Sequence, residues 1–199
     1  MRGLRQVYYP PVTEEFPVFE WSFMRKSGTI TLASADGDYD LPDDFSGEIL
    51  DDSVSTPAGN LNPPLIKVSE SDIRRELAEN NSTGFPKYYA VRNKTHAPTT
   101  GQRYEFLVYP IPGSTAATGN TIVLTYRYVT LPNVIDATNI YPLGGARYSE
   151  LILTSFLAIA EEMLDDESNG MYANLFKQRL ISAMRSDLNI KENNRGGAS

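Results

Sequence analysis

Residues 36–48 read DGDYDLPDDFSGE, five aspartates and one glutamate in thirteen positions. Asp36, Asp38 and Asp40 alternate with other residues, the spacing with which a calcium loop begins, since a hard cation is held by oxygens projecting from alternate positions. Such a loop needs glycine at its sixth position for the sharp turn and a bidentate glutamate at its twelfth. Counted from Asp36, those positions are Leu41 and Gly47, and Pro42 breaks the chain where ligands should continue. The EF-hand pattern fails, while a less regular oxygen site on the same carboxylates stays open. The structural alternative makes ADGD a turn and sets Tyr39 and Leu41 alternating with acids on a strand that Pro42 stops at a sheet edge. Phe45 then returns to the core and the acids face water.

A second acidic group, EEMLDDE, places Glu161, Glu162, Asp165 and Asp166 at i,i+4 spacings on a helix. Facing helices can hold two metals with paired glutamates, but that arrangement also takes Glu-x-x-His motifs, and the one histidine, His96, lies elsewhere in the polar stretch RNKTHAPTTGQ. Like charges stacked near a helix C-terminus repel one another. Pairing with cations relieves this, from Lys177, Arg179 and Arg185 of the following helix or from a neighbouring subunit. An ion-paired or lumen-facing role is therefore expected rather than a metal site. Cysteine is absent, which removes disulfides, thiolate catalysis and zinc–thiolate sites. A Ser–His–Asp triad would have to use His96, whose loop setting suits a solvated side chain. No phosphate loop occurs in GSTAATGN, and Ser149 and Ser155 lack nucleophile-elbow glycines. No catalytic residue, metal site or cofactor is expected.

The elements that hold these residues follow from periodicity. Residues 1–26 are rich in aromatics and proline, with Pro10–Pro11 and Glu15–Phe16–Pro17 blocking a helix from about Val7 to Pro17. An extended arm is expected, with Phe19, Trp21 and Phe23 on one face of a strand. Residues 27–142 read as a β-rich body with one short helix. Its strands fall at Gly28–Ser34, Gly47–Asp52, Leu65–Val68, Lys87–Asn93, Arg103–Pro110 and Thr121–Val129, the last alternating cleanly at Ile122, Leu124, Tyr126 and Tyr128. The short helix is Ser69–Asn81, with Ser69 as N-cap, Asp72 three residues on, and the i,i+4 pair Ile73 and Leu77. Loop composition marks Ser55–Pro64 and Pro110–Asn120.

Within residues 145–190 the period changes to that of helices. Ala146–Asp166 and Met171–Ile190 form a helical hairpin across the link ESNG. The second helix carries one stripe, Tyr172, Leu175, Phe176, Leu180, Ala183, Met184 and Leu188. The first is apolar nearly all round from Leu151 to Ala160, so it must be covered on several sides, by its own fold or by neighbours. Residues 191–199, KENNRGGAS, are a polar tail with no reason to fold alone. The fold class is α+β: a small antiparallel β-rich body packed on a C-terminal α-helical hairpin, one domain over 1–199.

Bulk properties bound the function. The chain has 199 residues, 41% of them hydrophobic, and a formal net charge of −7, which repels a phosphate backbone at long range. There is no run of about 18 apolar residues that could span a membrane, and the N-terminus has no apolar core of a secretory signal. Two rivals remain on residues alone. One is a tail accessory, calcium- or carbohydrate-binding module, suited by 12 tyrosines and the acidic turn, for which an exposed tryptophan platform would be diagnostic. The other is a small hydrolase using two converging carboxylates.

The ordered set GLRQVYYPP, FEWSFM, DGDYDLPDDF, RYEFLVYPIP, LTYRYVTLP and YPLGGARYSELILTSFLAIAEE resembles the head–tail adaptor (connector) proteins of tailed bacteriophages, similar in role to the tail tubular protein A of short-tailed coliphages. The likeness runs from Gly3 to about Asp187. Members of that family carry a helical segment ahead of the GLRQ stretch, where this sequence has Met1. The resemblance implies a structural, non-enzymatic protein of the virion neck or tail, assembled in the host cytoplasm as a ring of about twelve copies. It implies portal protein above, a tail or nozzle protein below, and DNA sliding through without specific binding or any membrane contact. Leu151, Phe156, Ile159, Tyr8 and Tyr9 are then candidates for contacts between subunits. Lys191, Asn194 and Arg195 are candidates for docking on portal, and Glu161, Glu162, Asp165 and Asp166 for facing the channel.

Overall fold

The computed structural model describes residues 2–12, 18–56, 63–94, 96, 101–113, 122–132, 135, 137, 140–165 and 170–195, with side chains at all of these but 51–53, 165 and 192–195. The protein is α+β, with a β-rich body and a C-terminal pair of helices. The chain divides into two compact units, one of residues Arg25–Leu131 and one of Met1–Met24 with Pro132–Ser199.

The Arg25–Leu131 unit is built on two sheets. Strands β1 (Arg25–Leu32), β3 (Phe45–Ser55) and β9 (Ile122–Thr130) form the first, antiparallel throughout, with β9 in the middle. The second has the order β2 (Asp38–Asp40), β7 (Tyr104–Tyr109), β6 (Tyr88–Asn93) and β4 (Ile66–Lys67). A small third sheet pairs β5 (Thr83–Gly84) with β8 (Ile111–Pro112). The body expected as antiparallel also contains two parallel pairs, β4–β6 and β5–β8. Strands β4 and β6 are joined through helix α2 (Glu70–Glu79), and a crossover of that kind is what parallel pairing requires.

Inner faces of the two main sheets share one core, including Ile30, Phe45, Tyr89, Phe106, Leu124 and Tyr126. Alternation in β9 turns Leu124, Tyr126 and Tyr128 into it. Strand β7 is buried on both faces. Phe106 and Val108 join the inter-sheet core, while Leu107 and Tyr109 meet Ile73 of α2, which is why this segment reads as a nearly continuous apolar run. Ser69 caps α2, its Oγ accepting from the Asp72 N–H at 3.2 Å and donating to the Asp72 carboxylate at 2.6 Å.

The second unit consists of α1 (Arg2–Tyr8), a 3-10 turn at Ser22–Met24, a 3-10 turn at Gly145–Tyr148, α3 (Ser149–Asp165) and α4 (Met171–Arg195). Three expectations are corrected. The arm is not extended at its start, because Arg2–Tyr8 is helical and packs on α3, where a Cβ at Gly3 would lie 3.0 Å from the Phe156 ring. Trp21 and Phe23 do not lie on a strand; the chain turns at Ser22–Met24 and stacks their rings 5.3 Å apart, with Tyr148 edge-on to Trp21. The polar tail begins inside α4, which continues to Arg195. Extending a formed helix needs no new nucleus, so KENNR follows without an apolar face. Residues 196–199, the loop stretches 57–62 and 114–120, most of the interhelical link, and Phe16–Pro17 of the arm lie outside the described residues.

Candidate assembly interface

Asp38, Asp40, Asp43 and Asp44 of the opening turn are matched by cations. Asp40 accepts from Lys94 at 2.5 Å and Asp43 pairs with Arg103 at 3.0 Å. Asp38 lies 3.5 Å from Arg92, which also binds Glu105 at 2.7 Å; Lys94 reaches Glu105 at 3.1 Å. The hydrogen bond from Lys94 holds Asp40 below the usual carboxylate range. Burial pushes Glu105 up, but the bonds from Arg92 and Lys94 outweigh it and its net shift is downward. Strand β2 is a sheet edge, as Pro42 requires, and Leu41 and Phe45 are buried on either side of the turn. Such an arrangement holds strands β2, β6 and β7 together by charge, and among the described residues no three acids or histidines converge as metal ligands. His96 is exposed. Trp21, the one tryptophan, is fully buried with its Nε1 donating to the Val7 carbonyl at 2.8 Å, so it offers no platform for a sugar.

The second acidic group is divided between two structural duties. Glu161 accepts from the backbone N–H groups of Tyr172 and Ala173 at 2.9 and 3.1 Å. Helix α4 follows Gly170, which has no side chain to cap it, and a carboxylate at a helix N-terminus satisfies orphan donors and the macrodipole together. Glu161 is therefore turned toward the start of α4. Glu162 is paired with Arg2 of α1 at 3.2 Å. Arg179 pairs with Glu150 at 2.9 Å rather than with this group. The Asp165 side chain and Asp166 lie outside the described residues.

Of the expected subunit contacts, Tyr8 and Leu151 are buried within their own unit. The Tyr8 hydroxyl donates to the Leu143 carbonyl at 3.4 Å, and burial raises its pKa. Tyr9 and Phe156 are exposed, and Ile159 is half-buried. The structure adds Leu153, Met163, Leu164 and Met171, at 51, 75, 83 and 68% exposure, which sequence reasoning did not single out. The signal was present in the all-round apolar character of α3. One face (Leu151, Ile152, Thr154, Ser155, Ala158) is buried, and the face opposite, carrying Leu153 and Leu164, is open. Beside it lies a groove of about 450 Å³ between α1, α3 and α4, lined by Tyr9, Ile159, Phe176, Leu180 and Ile181 with Lys177 among its residues.

Lys191 is engaged within the chain. Its ammonium lies 3.2 Å from Asp187, donates to the Glu20 carbonyl and sits 4.6 Å above the Phe19 ring. Asp187 is a fully buried carboxylate that accepts from Ser22 N–H at 2.9 Å and Ser22 Oγ at 2.5 Å. Sequence reasoning missed it, although it continues the buried spacing of Phe176, Leu180 and Met184. Backbone positions 194 and 195 are helical, while the side chains of Asn194 and Arg195 lie outside the described residues.

Among protein families, the model described as SU10 adaptor protein matches residues 5–197. No curated protein matches the chain.

Proposed function

Because this chain belongs to the SU10 adaptor protein family, we propose that it is the ring-forming head–tail adaptor of a tailed phage virion, seated between portal and tail. The family is one of phage structural adaptors, not of enzymes, and an adaptor associates with other structural proteins of the particle. In the proposed assembly about twelve copies close around the axis and continue the DNA channel. The observation that carries this reading is the open apolar face of α3, with Leu153, Phe156, Met163 and Leu164 in water on a single chain. Faces of that kind mark places where another protein packs.

The remaining parts of the proposal have separate supports. Net charge −7 suits a conduit through which a polyanion must slide without adhering. The proposed channel-facing acids are Glu161, Glu162, Asp165 and Asp166, of which Glu161 also caps α4 and Glu162 also pairs with Arg2. Portal docking is assigned to the end of α4, through Asn194 and Arg195, with Lys191 fixing that end against Phe19 and Glu20.

Light scattering of the chain alone and mixed with its portal protein tests the assignment. A rise to the mass of a portal bearing a full ring is expected. A chain that keeps its monomer mass beside portal overturns the reading.

A further inference from the structure

The helical unit leaves two apolar features uncovered, and their shapes differ. One is convex: Leu153, Phe156, Met163 and Leu164 on α3 are 51, 40, 75 and 83% exposed. At about 100° per residue these positions fall within one sector of about 100° of the helix. The other is the concave groove of about 450 Å³, whose α3 wall is Ala158, Ile159 and Glu162, a different face of the same helix. Its remaining walls come from Tyr9 of the segment after α1 and from Phe176 and Leu180 of α4. A cavity of about 150 Å³ holds a benzene ring, so the groove has room for several side chains of the size that the stripe presents.

Area indicates what fills it. The stripe together with Met171 leaves on the order of 600 Å² of apolar surface in water, against the roughly 800 Å² per partner of a stable interface. The groove carries both Lys177 and Glu162 beside its apolar lining, so it is the apolar body of the stripe that the groove matches. Pairing stripe with stripe about a two-fold axis closes after two copies and leaves both grooves empty. A stripe seated in the groove of the next copy joins two different patches, so the contact is heterologous and repeats from copy to copy until a ring closes.

We infer that the α3 stripe of one copy seats in the α1–α3–α4 groove of the next, head to tail around the ring. This rests on the ring proposed above and specifies which surfaces meet in it.

The chain has no cysteine, so introduced thiols report contacts directly. Leu164→Cys marks the stripe and Ala173→Cys the groove; Met163→Cys with Ile181→Cys is an independent second pair. Each single variant, and equimolar mixtures of each pair, are assembled on portal and treated with a short bismaleimide. Circular dichroism confirms that each is folded. Linked dimers are expected from the mixtures and not from the single variants, and the Leu164→Cys, Ala173→Cys double variant gives a ladder of linked copies. Linking by Leu164→Cys alone, or a full ring by light scattering in which neither mixture is linked, overturns the inference while leaving the ring intact. Failure of the unlabelled chain to gain mass on portal overturns the ring reading instead.

Discussion

Asp44 shows how a single carboxylate settles a question that the acidic turn raises as a group. It accepts from Lys26 at 2.7 Å, Thr130 at 2.8 Å and Tyr128 at 2.9 Å, and its backbone carbonyl receives the Leu131 N–H. Burial pushes its pKa up, but the three donors outweigh that and leave it below the usual carboxylate range. Burial and the bond to Asp44 both raise the Tyr128 hydroxyl. A depressed folded-state pKa contributes stability that is complete above the unfolded value of about 3.9 and is lost as pH falls through the folded value. Asp44→Ala removes that contribution, leaves the buried Tyr128 hydroxyl without the acceptor Asp44 supplies, and leaves the Thr130 hydroxyl only the longer contact to the Leu131 carbonyl at 3.3 Å. A loss of about 2–3 kcal/mol at pH 7 is expected from such charge-assisted bonds. Urea titrations at pH 7 and pH 3 should show the variant losing less on acidification than the parent; equal losses would contradict the assignment. The sequence told turn chemistry from a metal loop through Leu41 and Gly47. It could not tell Asp44, which organises the end of a strand, from its neighbour Asp43 on the surface, because the partners Lys26 and Thr130 are brought together only by the sheet.

Between elements, the contact that most depends on one atom is the start of α4. A Cβ at Gly170 would lie 2.1 Å from the Glu161 carboxyl carbon, so alanine there displaces the group that caps Tyr172 and Ala173. Gly170→Ala should cost about 1–2 kcal/mol, the range of a lost N-cap. Glu161→Ala should cost about the same, and the double variant little more, since both remove one interaction. Urea unfolding of the three variants checks this, and fully additive losses would rule it out. The legible elements were those whose own periodicity suffices: Ile73 and Leu77 in α2, the alternation of β9, and the stripe of α4. Helix α1 was not legible, because seven residues are too few to be helical alone and its stability comes from close packing of Gly3 on α3. The parallel β4–β6 pairing was hidden for a related reason, since it is set by where α2 returns the chain and not by either two- or six-residue strand.

For the whole molecule, the decisive feature is a helix made apolar on two opposite faces. Leu151, Ile152 and Ala158 close the helical unit from within, while Leu153 and Leu164 remain 51 and 83% exposed. The run LILTSFLAIA led to the expectation that α3 is covered on more than one side, but which side its own unit covers emerged only once α1 and α4 were placed. A monomer gains nothing from keeping such a face, and exposed apolar surface favours unwanted association. In the proposed ring this face is what a neighbouring copy covers. Leu153→Glu combined with Leu164→Glu should therefore leave folding stability within about 0.5 kcal/mol, as surface substitutions do, and yet abolish the gain of mass on portal. Urea midpoints and light scattering on the same samples separate the two effects. A variant that unfolds early would mean that the face belongs to the chain's own core, and one that assembles like the parent would mean that the ring is held elsewhere.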